Sequence, residues 1–403
     1  MIGQVESRAI SVHMLVWNDF CNDARVLKEA QTLGAAGYSV VVHAIHVPGK
    51  TARDEVLQGG IKVKRVSLMP FASNRAQPGL AQKKRPLALQ VLSRLWAHLT
   101  MLRNLIYARP VVIHAHDVNM LPTAWLSSKI MGAKLVYDAH EISSSREGYV
   151  GLSKFVTLVE SFLMPQASGA ITTTDARAKF FARAYGVERP VVLQNRPRRQ
   201  QVLASRRIRD ELGLVQPWPI IVYQGGVQQG RGLERLARVA LDVPGAYFVF
   251  IGGGRLEASL RNIVAELRLE ERVHFIPTVA LAELPSYTAS ADIGVQPIEN
   301  TCLNHYTTDS NKLFEYVQAG LPIVASDLPE IRRVVRKHNL GLLVPPGNSA
   351  ALSAALRELV ADKGKREHYA AQARKASAAL SWESQEHELV ALYEKVLSNP
   401  VPA

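Results

Sequence analysis

Cysteine is nearly absent: the 403 residues contain two, Cys21 and Cys302, far apart in the chain. Neither a disulfide framework nor a zinc-ligand spacing can be built from them, and the scarcity fits a reducing compartment. Long apolar runs are missing too, since no stretch approaches the roughly 18 uninterrupted apolar residues of a membrane span. The opening MIGQVESRAISVHMLVW has no basic leader and no small-residue cleavage site, so no signal peptide is expected. Zinc-finger spacing, an aromatic RNA-binding strand and a basic helix feeding a zipper are all lacking, which argues against a nucleic-acid partner. Acidic residues are sparse in one half only. Residues 1–200 hold 26 Lys and Arg against 13 Asp and Glu, whereas the remainder balances 22 with 22, so the whole net charge of +13 lies in the first half. Such a half suits an anionic lipid surface or an acidic polymer.

What is present is a soluble globular composition, 47% hydrophobic and 21% charged, in a chain too long for one core. Short β-rich apolar runs alternate with helical patterns, the mark of βαβ units and parallel sheets. The first half offers strands at 11–17, 38–44, 111–115, 134–138 and 169–173; the second offers 219–226, 246–254, 272–276, 292–298 and 321–326. Val26, Leu27, Ala30 and Leu33 give a helix over 23–35 with Asp23 as its cap. The basic stretch from Asn195 to Arg209 reads as a linker region. We therefore expect an α/β chain of two Rossmann-like domains, 1–200 and 201–380, and a terminal helix over 381–403 that packs back on the first. Two such domains facing across a central cleft place strand-to-helix loops around one ligand site.

The most informative segment is Asn311-Lys312-Leu313-Phe314-Glu315-Tyr316-Val317-Gln318-Ala319-Gly320, a helix ended by glycine. Asn311 and Glu315 share a face near its N-terminus, where free N–H groups and the helix dipole suit a diphosphate and a carboxylate can accept from a ribose diol. The bland alternative is that Glu315 only offsets the dipole. Upstream, Gly225, Gly226 and Arg231 lie in a strand-to-helix turn, YQGGVQQGRG, where glycines admit phosphate and Arg231 can pair with its oxygens. The turn Gly252-Gly253-Gly254-Arg255 fails the dinucleotide fingerprint because position 257 is Glu257, which disfavours a nicotinamide or flavin dehydrogenase.

With NDARVLKEAQTLGAAGYSVVVHA, HAHDVNMLPTAWLSSKIMGAKLVYDAHE, YQGGVQQGRGLERL, NKLFEYVQAGLPIVASDLPEI and SWESQEHELVALYEKVL in this order, the chain resembles the retaining glycosyltransferases of family 4, with the GT-B fold, over nearly its whole length. The resemblance implies that Glu315 holds the ribose and Arg231 the diphosphate of a nucleotide-sugar donor. Gly225, Gly226, Gly253, Ser310, Asn311, Lys312 and Leu313 would surround that donor. Two departures stand out. Thr307 replaces the family's first glutamate, leaving Asp309, Ser310 and the N–H groups of 308–313 to hold the sugar. Val227 replaces the companion arginine, leaving Arg231 with Lys312.

In the first half, His114, His116 and Asp117 end one strand while His140 and Glu141 follow the next. His114 and His116 share a strand face, so a metal would need a third ligand from elsewhere; no metal is expected. By resemblance, His116 contacts the sugar or acceptor, with Asp117 beside it, and His116, Arg231 and Glu315 form the catalytic set. His140 and Glu141 line the acceptor pocket or cap the loop. Arg25 approaches the donor or is solvated beside the cap Asp23. No cofactor is expected beyond the donor, a UDP- or GDP-sugar; the acceptor would be a glycan or lipid-linked sugar in surface polysaccharide or glycoconjugate assembly. Gln82-Lys83-Lys84-Arg85 precedes an apolar, Trp-bearing run over 87–106, which reads as a core helix or as one resting on an anionic bilayer. The enzyme is thus placed in the cytoplasm, peripheral on the inner membrane face. A nucleotide-sugar 2-epimerase and a non-catalytic donor-binding subunit are the alternatives.

Overall fold

The computed structural model describes residues 9–68, 86–145, 151–200 and 204–398. The run Gln82–Arg85, the first eight residues and 201–203 of the linker region lie outside them. The chain divides into two units. Unit 1 takes the described residues of Met1–Thr173, Arg177–Leu193 and Glu386–Ala403; unit 2 takes Thr174–Ala176 and Gln194–Gln385. The expected boundaries near 200 and 380 therefore fall at 193 and 385. The reason is local: Trp382 N–H donates to Pro197 O at 2.8 Å and Gln194 N–H donates to Gln385 Oε1 at 3.1 Å, tying both segments into unit 2.

Among the described residues, unit 1 carries an eight-stranded sheet in the order β3-β4-β2-β1-β5-β6-β7-β8. The strands are β1 (Ser11–Leu15), β2 (Ser39–His46), β3 (Asp54–Val56), β4 (Lys62–Ser67), β5 (Val112–His116), β6 (Lys134–Ala139), β7 (Gly169–Thr172) and β8 (Val191–Val192). All pairs are parallel except β3 with β4. The helices between them are α1 (Ala24–Ala35), α2 (Leu87–Ala108), α3 (Asp117–Met131), α4 (Ser153–Leu163) and α5 (Asp175–Tyr185). Asp23 caps α1 by accepting from Val26 N–H. Strand alternation sorts the side chains between the two faces. Leu15, Ile113, Ala115, Leu135 and Tyr137 pack with Ala97 and Met101 of α2, Met120 and Leu121 of α3 and Leu163 of α4. His114, His116 and Asp138 point to the other face, toward α1.

Unit 2 has α6 (Arg207–Leu212), β9 (Ile220–Gln224), α7 (Leu233–Val239), β10 (Tyr247–Ile251), α8 (Glu257–Glu266), β11 (Val273–Ile276), α9 (Leu284–Thr288), β12 (Ile293–Gln296), α10 (Leu303–Tyr306), α11 (Asn311–Gln318), β13 (Ile323–Ser326), α12 (Pro329–His338), β14 (Gly341–Val344), α13 (Ser349–Ala361) and α14 (Lys363–Ala376). Its six-stranded parallel sheet runs β11-β10-β9-β12-β13-β14. β9 and β10 are buried throughout, so they read as continuous apolar runs. One sheet face holds Val222 and Val249 against Leu313 and Phe314; the other holds Ile221 and Phe248 against Leu236 and Leu260.

In each sheet the strand order reverses beside the first strand, between β1 and β5 and between β9 and β12, which puts a ligand-accepting crevice at those carboxyl ends. The terminal helix begins later than expected: a tight turn over Trp382–Ser384 precedes α15 (Glu386–Ser398). α15 packs against α1, β7 and β8 of unit 1. Gly169 of β7 makes room for it, since a Cβ there would stand 2.8 Å from Val396 Cγ2. Among the described residues no helix is long and apolar enough to cross a membrane.

Candidate functional site

In unit 2, α11 is seated across the strand-order reversal. Tyr316 Oη donates toward Val222 O at 3.1 Å and lies 3.3 Å from Val295 O, joining the helix to β9 and β12. The ring fits because Gly294 has no side chain; a Cβ there would stand 2.4 Å from it. Ser310, the residue before α11, has φ 55° and caps nothing with its side chain, so the first N–H groups of the helix have no side-chain cap among the described residues. Asn311 is exposed. Leu313 is fully buried and its N–H already donates to Ser310 O at 3.2 Å, which takes that group away from any ligand.

Glu315, one turn in, is half-buried and accepts from Gln224 Nε2 at 2.6 Å. Gln224, the last residue of β9, in turn accepts from Thr288 Oγ1 at 2.8 Å. This chain of bonds fixes the carboxylate and was not foreseen from sequence, although a polar residue ending an apolar strand is a readable signal.

The burial of Lys312 is the other unforeseen feature. Its Nζ lies 5.0 Å from the Tyr223 ring centroid, and its only hydrogen bond among the described residues is a long one, 3.5 Å, to Ser310 Oγ. Burial, with Arg231 alongside, lowers its ammonium to about 7, while Glu315 works in the opposite sense. Neither Lys312 nor Arg231 makes an ion pair among the described residues. Two basic groups thus feel each other's charge next to a helix N-terminus, with Glu315 the acid that acts on Lys312. That is the electrostatic signature of an anion site.

The glycine turns have a structural duty beside the phosphate role expected from sequence. Gly225 has φ 115° and its N–H donates to Ile251 O at 2.8 Å; a Cβ on Gly252 would stand 2.2 Å from Gly225 O. The two turns therefore require glycine to pack on each other. Gly225 and Gly226 remain exposed, and a Cβ on Gly225 would come within 3.2 Å of Lys312 Nζ. Gly253 is half-buried and accepts from Val227 N–H at 3.0 Å. Thr307 is buried, its hydroxyl donating to Leu303 O, and Asp309 is 5% exposed and accepts from Gln194 Nε2 at 2.7 Å.

Unit 1 gathers a second cluster at the ends of β5 and β6. Arg25 is buried there, not solvated, and donates to both oxygens of Asp138 at 2.7 and 2.9 Å and to Leu193 O. His116 is 2% exposed, with Nδ1 3.3 Å from Asp138 Oδ2 and 3.2 Å from His140 Nε2. His140 stands in front of it, partly exposed, 2.9 Å from Asp138 and 3.8 Å from Asp117. Burial opposes a charge on His140, but Asp117 and Asp138 outweigh it and raise the ring to about 9. Burial lowers His116. His116 is thus the covered ring and His140 the more accessible one, held toward its charged form by Asp117 and Asp138. His114 lies deeper, stacked on His116 with centroids 4.3 Å apart and bonded to Tyr393 of α15 at 2.9 Å. Glu141 is half-buried in the following loop.

The third ligand that β5 alone could not supply for a metal does exist: Glu29 of α1, with His114, His116 and Asp138, offers ligand atoms within 4.8 Å of one another. However, Arg25 already meets these carboxylates, lying 3.2 Å from Glu29 as well as pairing Asp138. Burial and the neighbouring Asp138 also push Glu29 up to about 8. Protein groups therefore offset much of the cluster's negative charge, while both Glu29 carboxylate oxygens and the Nε2 atoms of His114 and His116 are buried with no hydrogen-bond partner among the described residues.

Comparison with known proteins gives the same two-part division. The family model described as "Glycosyl transferase 4-like domain" matches residues 23–197, and that described as "Glycosyl transferases group 1" matches 219–362. A D-inositol 3-phosphate glycosyltransferase of Geodermatophilus obscurus is 24% identical, over 91% of this chain and 83% of its own. A 2-deoxystreptamine N-acetyl-D-glucosaminyltransferase of Streptomyces fradiae is also 24% identical, over 84% of this chain and 82% of its own. Among solved structures, sucrose-phosphate synthase from Thermosynechococcus elongatus superposes with a TM-score of 0.78 at 17% identity, covering 96% of this chain and 99% of that one. HepE of Anabaena in complex with UDP-glucose gives 0.75 at 17% identity, with coverages of 96% and 99%.

Proposed function

Because this chain belongs to the group 1, family-4-like glycosyltransferases, with two Rossmann-like domains of GT-B type, we propose that it moves a sugar, with retention of configuration, from a UDP- or GDP-sugar to a glycan or lipid-linked acceptor. The setting is surface polysaccharide or glycoconjugate assembly at the cytoplasmic face of a membrane that the protein contacts peripherally.

The observation that carries the donor reading is the pair Lys312 and Arg231, which make no ion pair among the described residues, beside the N-terminus of α11. Lys312 takes the part left open by Val227. Glu315, oriented by Gln224, accepts from the ribose hydroxyls, and exposed Gly225 and Gly226 let the diphosphate approach the backbone. In the reaction the bond between the anomeric carbon and the diphosphate breaks, and its electron pair passes to the leaving oxygen. The acceptor hydroxyl bonds to the same face and gives its proton to the departing phosphate. Lys312, Arg231 and the helix N–H groups stabilise the charge that develops there. On the acceptor side, His140 donates a hydrogen bond as an imidazolium, and His116 with Asp138 holds it in place; Asp117 sustains its charge.

The test is a panel of UDP-, GDP-, ADP- and dTDP-sugars with the purified chain. One donor should release its nucleotide slowly without acceptor, and Arg231→Ala should reduce that rate by about 10²-fold. An isomerised donor would instead mark an epimerase, and tight binding without turnover under every acceptor would mark a binding subunit; either result removes the transferase reading.

A further inference from the structure

The helices on one side of the unit 1 sheet break the usual rule for surface helices. In α2 the buried positions are Ser93, Ala97, Met101 and Leu105, two of them small. Facing outward are Leu92, Leu95, Trp96 and Leu99, spaced as one helical stripe and each at least 46% exposed. α4 repeats the pattern with Phe155, Leu158 and Phe162, each above 60% exposed. α3 contacts both helices and adds exposed Leu126 and Ile130. A groove of about 540 Å³ between α3 and α4 is lined almost entirely by apolar side chains, including Trp125 and Phe162. Isolated exposed leucines need no explanation, but apolar stripes on three adjoining helices do.

The charges on the same helices are of one sign. Arg94, Arg103, Lys129 and Lys154 are exposed, whereas the acidic members are Glu160, fully buried, and Asp117 at the opening turn of α3, committed to His140. An apolar surface whose exposed charges on these three helices are cations fits an anionic bilayer, into which the leucines and phenylalanines insert while Arg and Lys reach the headgroups. It does not fit a second copy of this chain in two-fold contact, which would set cations against cations.

We propose that the α2–α3–α4 face of unit 1 is a docking surface for an anionic lipid bilayer. This deepens the peripheral contact stated above and rests on that reading. The contact brings lipid-linked acceptors to unit 1 by confining both to a plane.

The test is co-sedimentation of the full chain with vesicles of phosphatidylcholine alone or with one third phosphatidylglycerol. The anionic vesicles should bind at least tenfold more tightly, and 0.5 M salt should weaken them severalfold. Leu95→Gln with Leu99→Gln on α2 should lose tenfold or more. Phe155→Ser with Phe162→Ser on α4 serves as an independent second pair and should do the same. Donor hydrolysis in solution should be equal for both double variants and the wild type, since every replaced residue is exposed and lies in unit 1. Unaltered donor turnover with no anionic-vesicle binding by the wild type overturns the docking surface alone, whereas absence of donor turnover in the wild type overturns the transferase reading. Binding that ignores both substitution pairs, or a concentration-dependent dimer abolished by them, also overturns the proposal.

Discussion

The two sheets end in charged clusters of opposite character. At the ends of β5 and β6, Arg25 is bonded to both oxygens of Asp138, which also holds His116 and His140. At the end of β9, Lys312 and Arg231 stand together with no acid paired to either among the described residues. The first cluster has met its own charge and is part of what holds unit 1 together. The second has left its charge open, at a cost in stability that a bound anion would offset. The contrast supports the anion site proposed in unit 2, since in unit 1 Arg25 already pairs Asp138.

The largest expected effect breaks the first cluster. Asp138→Asn leaves buried Arg25 with Glu29, 3.2 Å away, as its remaining acidic neighbour and should cost about 3–5 kcal/mol, read from denaturant unfolding. A loss below about 1 kcal/mol would show that the pair is not structural. Next comes acid. Burial lowers His13 to about 4, and burial with His13 alongside lowers His43 to about 3, the two rings meeting at 3.0 Å. Both are depressed from the unfolded value of 6.5, so the unfolded chain takes up protons first. Stability should therefore fall as pH drops below 6.5, by up to about 1.4 kcal/mol per pH unit for each ring. His43→Asn should flatten that slope in melts between about pH 4.5 and 6.5.

Unit 2 should respond with the opposite sign. Lys312→Met removes an unpaired buried charge, so the donor-free protein should melt at the same temperature or higher, while nucleoside diphosphate affinity falls roughly 10–100-fold. A lowered melting point with unchanged affinity would erase the contrast between the clusters. The smallest effect is expected for Gln224→Ala, which frees Glu315 to move. A few-fold loss in nucleotide affinity should result, from about 0.5–1.5 kcal/mol of hydrogen bonding, measurable by calorimetry.

Alternating apolar runs and helical spacing were enough to show two Rossmann-like domains, because parallel strands buried on both faces leave a strong mark. β4 escaped notice because Lys62, Lys64 and Arg65 interrupt its apolar pattern, and β8 because it is two residues long. The segment Asn311–Gly320 could be singled out by its glycine stop and its carboxylate in the first turns. What could not be read was the partnership of residues distant in sequence. Gln224 and Glu315 are 91 positions apart, and Arg25 and Asp138 are 113. Which of His116 and His140 is covered was hidden for the same reason: strand periodicity tells which face a residue takes, not which ring covers the other.

The role proposed for Lys312 can be tested through its charge. Since its ammonium titrates at about 7 in the free protein and a bound diphosphate favours the charged form, binding above that pH must draw in a proton. Titrating UDP and GDP calorimetrically at about pH 8, in buffers of different ionisation enthalpy, measures this directly. Net uptake should approach one proton per nucleotide bound and should vanish in Lys312→Met. Binding of either nucleotide with no proton uptake, or with uptake unchanged in that variant, would contradict the role given to Lys312.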